Sequence, residues 1–135
     1  MSNVARILGE MPPKERSRIP EGRILELERE LGDETVITFT RCHFPFGTLV
    51  VTASRIIILL QDGGVDVTRF ADIASFSLIE GRKKILGGHS ETIFCTQMRD
   101  GTRFTGQSVG TDGQWGIHAA RQMLAAHETY SLRAR

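Results

Sequence analysis

GTLVVTASRIIILLQ, residues 47–61, is the densest run of β-branched and aliphatic side chains in the chain. Its first half alternates, with Leu49 and Val51 on one face of an extended segment and Val50 and Thr52 on the other. Ala53 and Ser54 then mark the turn. The return segment RIIILL is apolar at successive positions, so both of its faces need cover, as in a strand held between two layers. The pair reads as a hairpin at the centre of a sheet.

Working outward, residues 34–42 (ETVITFTRC) set Val36, Thr38 and Thr40 against Ile37, Phe39 and Arg41, the period of a half-buried strand. HFPFG turns that strand into the hairpin. On the other side, Gln61, Asp62, Gly63 and Gly64 form a strong turn signal, and residues 65–70 and 73–79 read as two further strands. A glycine-rich, basic connection over residues 81–90 follows. Strands at 92–98 and 102–106 then flank Asp100-Gly101, a dipeptide suited to a tight hairpin.

Helical spacing marks the two ends of the chain. Val4, Ile7, Leu8 and Met11 fall at i, i+3, i+4 and i+7, and Pro12-Pro13 stops that helix. Ile24, Leu27 and Leu31 form a narrow apolar line over residues 20–31, closed by Gly32. After Gly110, Thr111 or Asp112 can cap a helix that runs to about His127, with Trp115, Ala119, Met123 and His127 on its apolar half. The spacing predicts fraying beyond Tyr130. The expected organisation is an N-terminal arm over residues 1–19, one domain over 20–130 and a loose tail over 131–135.

Length and composition suit one domain with one core: 135 residues, 40% of them apolar. Seventeen basic residues against sixteen acidic ones leave a net charge of +1, so no global field draws the chain to nucleic acid, and any electrostatic partner must meet a local patch. The longest apolar run, residues 56–60, is far short of the ~20 residues that a membrane-spanning helix needs. With no basic cluster before the N-terminal apolar residues, no signal peptide is expected, and the expected location is cytoplasmic. Cys42 and Cys95 are accordingly read as free thiols.

Two stretches stand out as candidate sites. Arg82, Lys83 and Lys84 make the one three-residue basic run, on a glycine-flanked connection, and could meet the phosphates of an anionic lipid headgroup at about 1 kcal/mol per charge. The stripe Val4, Ile7, Leu8 and Met11, tethered by two prolines and the charged spacer KERSR, could lie in a groove of a neighbouring copy and hold a homo-oligomer together. Cys42, His43, His89 and Cys95 lack the spacing of a zinc site, since adjacent strand residues point to opposite faces. His118 and His127 sit on nearly opposite faces of their helix. No strand-loop-helix phosphate cradle and no nucleophile with a supporting base is legible, so no catalytic residue, metal or cofactor is assigned.

Short antiparallel strands followed by one amphipathic helix indicate a mainly β fold, either a barrel or a pair of packed sheets with the helix closing an open end. In the order of its elements the chain resembles the bacterial pleckstrin-homology-like (PH-like) domains, small barrels related in shape to GRAM and eukaryotic PH modules. The residues that carry the resemblance are Gly32-Asp33-Glu34 before the first strand, Gly47 to Thr52 running into Arg55 to Leu59, Asp72-Ile73, Asp100-Gly101 before Phe104, and the final helix. The resemblance implies a PH-like barrel of about seven antiparallel strands with a C-terminal capping helix and N-terminal helical segments. It further implies a non-enzymatic binding module that acts in protein–protein interaction or self-assembly. The alternative it raises is a peripheral membrane module using Arg82, Lys83 and Lys84.

Overall fold

A computed structural model describes residues 3–11, 13–17, 19–43, 46–80, 90–110 and 115–134. Helices α1 (Asn3–Glu10), α2 (Pro13–Arg16) and α3 (Glu21–Leu31) precede strands β1 (Val36–His43), β2 (Gly47–Thr52), β3 (Arg55–Leu60) and β4 (Val65–Arg69). A 3₁₀ turn at Phe70–Asp72 leads into β5 (Ile73–Glu80), β6 (Ser90–Met98) and β7 (Arg103–Gly110), and α4 (Trp115–Arg133) ends the chain. Every neighbouring strand pair is antiparallel, in the order β4-β3-β2-β1-β7-β6-β5. The hairpin read first from the sequence is present, with its turn at Ala53 and Ser54.

The expected barrel does not close. Pairing runs out at β4 on one side and β5 on the other, and among the described residues those two strands share no ladder. Between them the chain turns through Phe70–Asp72, where hydrogen bonds from Phe70 N–H to the Ser54 carbonyl (2.9 Å) and from Arg99 N–H to the Asp72 carbonyl (2.8 Å) hold the connection. Among the described residues the ladder between the two meanders runs through β1, whose last residues Arg41, Cys42 and His43 pair with Val109, Ser108 and Gln107 of β7.

β3 explains why the sheet needs two covers. Ile56, Ile57, Ile58 and Leu59 are each at most 2% exposed. Ile57 and Leu59 join Val50 and Phe39 in a core built with the N-terminal helices. Ile56 and Ile58 join Leu49, Val51, Phe70, Phe94 and Met123 in a second core beneath α4. Alternation along one strand therefore feeds two separate cores.

Residues 1–19, read from the sequence as an N-terminal arm, carry their apolar stripe onto their own chain. Val4, Ile7, Leu8 and Met11 are only 3–6% exposed and pack with Ile19, Leu27, Leu31 and Ile57 of their own chain. A helix as short as α1 is marginal alone, and burying its four apolar side chains, at roughly 1.5–3 kcal/mol each as an upper figure, supplies the missing stability. The narrow stripe of α3 suffices because α1 shares the same face of the sheet with it.

The C-terminal helix is also longer than expected and reaches Arg133, past the predicted fraying point at Tyr130. Tyr130 is half-buried, with its ring packed edge-on to Phe70 at 5.8 Å, so tertiary contact holds a turn that propensity alone would release. At the far end of the sheet, Gly101 (φ 94°) makes the β6–β7 hairpin turn, and Asp100 Oδ1 accepts from the Thr102 N–H at 2.9 Å. Among the described residues no helix is long and apolar enough to cross a membrane.

Since both faces of β3 are covered, Ile57→Ala and Ile58→Ala are each expected to cost about 2–5 kcal/mol in urea unfolding. Val67→Ala, at an exposed position of β4, is expected to change stability by no more than about 0.5 kcal/mol.

Candidate functional site

Arg82, Lys83 and Lys84 fall within residues 81–89, outside the described residues, as does His89. Cys42 is buried on β1 and Cys95 half-buried on β6, and neither forms a disulfide. Among the described residues no group of three or more His, Cys, Asp or Glu side chains could hold a metal ion. The apolar stripe of α1 is spent in the core. The surface that remains is one that the sequence reading did not single out.

It lies where α4 passes the β2–β3 turn. Gln122, Ala126, Thr129, Tyr130 and Arg133 recur at helical spacing, so one face of α4 presents them together. Opposite them stand Ile37 and Ala53, and the two walls enclose a trough of about 460 Å³. Two local features create it. A register shift between Val36 and Thr38 inserts Ile37 as an extra residue in β1, the kind of bulge that re-aims a side chain, and Ile37 packs partly onto the α4-side core. Ala125 and Ala126 are too small to fill the space that this leaves.

Tyr130 is the wall between the trough and a second hollow of about 310 Å³, lined also by Ser54, Arg55, Arg69 and Ala71. Arg55 is committed to structure. Its Nε donates to Glu34 Oε1 at 2.8 Å, its Nη1 to Glu30 Oε1 at 2.9 Å and its Nη2 to the Glu30 carbonyl at 3.0 Å, clasping the end of α3 to the hairpin. Glu34 also accepts from the Thr52 hydroxyl at 2.7 Å and the Ser54 hydroxyl at 2.9 Å. Partial burial works against the Glu34 carboxylate, but these hydrogen bonds and the Arg55 charge outweigh it and hold the group below its ordinary pKa of 4.5. Arg69 and Arg133 are exposed and make no ion pair with any described residue, so the Tyr130 end of the trough carries two uncompensated cations.

Just inside, His127 sits edge-on to Phe70 (5.6 Å) and tilted over Phe76 (5.8 Å). Burial lowers its pKa, Glu128 opposes that shift, and Arg99 adds to it. His127 thus acts as a packing group that helps fix α4 against the sheet.

A larger hollow of about 560 Å³ lies at the opposite end of the β1–β2 hairpin, between Arg23, Arg41, Phe46 and Gln61. Arg23 there donates to the carbonyls of Leu60 (2.6 Å), Gly63 (3.1 Å) and Gly64 (2.7 Å), which ties α3 to the β3–β4 turn. Gly47 lines this hollow, and a Cβ in its place would strike the Leu59 carbonyl.

The trough offers an apolar floor, hydroxyl and amide groups along one wall, and guanidinium groups at one end. Chemically this suits recognition of an amphipathic group. Compared with known proteins, the chain matches no family model, no curated protein and no solved structure.

Acid should loosen the clasp in a defined window. A carboxylate with a depressed folded-state pKa stabilises fully above 4.5, and that contribution is lost as pH falls through the folded-state value. Glu34→Gln is therefore expected to lower stability by roughly 1–3 kcal/mol at neutral pH. Urea midpoints measured against pH should show the deficit shrinking below pH 4.5.

Proposed function

We propose that this chain is a non-enzymatic PH-like binding module acting through protein–protein interaction, with the trough beside α4 as its binding surface. The fold part of this reading is supported at the level of antiparallel strands followed by a C-terminal helix, in a sheet that does not close into the barrel that the resemblance implies.

The observation that carries the functional part is the make-up of the trough. Ile37, Ala126 and the Tyr130 ring provide apolar contact area, and Gln122, Thr129 and the Tyr130 hydroxyl provide hydrogen-bonding groups. Arg69 and Arg133 add charge at the rim. An apolar centre with a polar, Arg-bearing margin is the composition by which protein surfaces recognise one another. The partner is taken to be another protein, because the stripe of Val4, Ile7, Leu8 and Met11 is occupied within its own chain.

A photo-crosslinking amino acid placed at Ala125, on the trough, and separately at Leu25, exposed on the outer side of α3, tests this. On irradiation in the cells that make the protein, position 125 is expected to give discrete protein adducts and position 25 none. Identical patterns at the two positions, or no adduct at 125, would contradict it.

A further inference from the structure

We infer that the trough takes an extended peptide segment in which an apolar side chain is followed by a carboxylate, the carboxylate lying between Arg69 and Arg133. The inference rests on the binding-module reading above and deepens it by naming the chemistry of the partner.

Length comes first. Gln122 and Arg133 stand about 16 Å apart along the helix axis at about 1.5 Å per residue. An extended chain covers that span in roughly five residues. The trough follows the helix from Gln122 to Arg133, as an extended segment requires.

Chemistry selects the order of groups. Ile37 on one wall and Ala126 on the other give the trough an apolar lining, so the apolar side chain belongs between them. Beyond Tyr130 the surface turns cationic. Arg55 in that hollow is already neutralised by Glu30 and Glu34, which leaves Arg69 and Arg133 to attract an anion. The planar donors of a guanidinium match a carboxylate, and Arg133 in the trough and Arg69 in the adjoining hollow, each sharing its lining with Tyr130, can both donate to it.

The other walls favour a peptide over a lipid tail. Gln122 is half-buried and, like Thr129, has no hydrogen-bond partner among the described residues. Both line the trough itself. A peptide backbone offers these side chains carbonyl and N–H partners, whereas an acyl chain would leave them against methylene groups.

The test uses the full chain, isotopically labelled, titrated with the pentapeptide GAVLE bearing a free C-terminus, with its uncharged counterpart GAVLQ-amide, with the polar GSNSE, and with laurate. The expected result is saturable binding of GAVLE, with chemical-shift changes centred on Ile37, Ala126 and Tyr130. Binding should be at least tenfold weaker for GAVLQ-amide and for GSNSE, and should weaken as salt is raised. Arg69→Gln combined with Arg133→Gln should reduce GAVLE binding to the level of the amide. Both positions are exposed, so the variant should fold, and an unchanged amide spectrum away from the trough verifies that it does.

Equal binding of GAVLE and GAVLQ-amide, no saturable GAVLE binding, shift changes centred elsewhere, or binding of laurate alone would each overturn the inference. Protein adducts at position 125 together with any of those results would overturn the carboxylate rule while leaving the binding-module reading in place. Their absence would remove both.

Discussion

Everything in this molecule follows from β3 being apolar on both faces. A strand of Ile and Leu with one face in water would present a long hydrophobic ladder to solvent, which native sheets avoid. Here each face has its own cover. Ile57 and Leu59 meet the N-terminal helices, and Ile56 and Ile58 meet the core beneath α4. The helical segments before β1 are therefore structural partners of the sheet. The two arginine clasps, Arg23 on the β3–β4 turn and Arg55 on Glu30 and Glu34, lock α3 alongside the strand that it helps to cover.

The second cover does two jobs that pull against each other. Met123, Ala126 and His127 must pack onto Phe70, Phe76 and the sheet, which fixes where α4 lies. Small side chains at Ala125 and Ala126 and the extra residue Ile37 in β1 then leave open space beside the β2–β3 turn. A larger residue at 126 would close it. Candidate binding surface and core packing thus share one helix, on adjoining faces.

Much of the fold was legible in the sequence because local signals and tertiary demands agreed. The 53–54 turn, the Asp100-Gly101 hairpin, the stop at Gly32 and the need to cover both faces of β3 all stand in the structure. What failed depended on non-local geometry. A run of strands does not reveal whether its outermost members pair, and here β4 and β5 do not. The apolar stripe of α1 was visible, but periodicity cannot distinguish its own sheet from a neighbour's. The trough was hidden for two reasons: it requires the bulge between Val36 and Thr38, and it requires α4 to continue through Tyr130 to Arg133. Had the helix been extended to Arg133, the spacing of Gln122, Ala126, Tyr130 and Arg133 would have shown the face. The basic run Arg82 to Lys84 lies outside the described residues.

Native-state hydrogen exchange, followed amide by amide, tests the two-sided cover of β3 most directly. If α1 is a working part of that cover, the amides of Ile56, Ile57, Ile58 and Leu59 should open only with global unfolding, and the hydrogen-bonded amides of α1 should be protected well above a frayed helix. Unprotected α1 amides beside a fully protected β3 would contradict it, because the strand would then be stable with one cover removed.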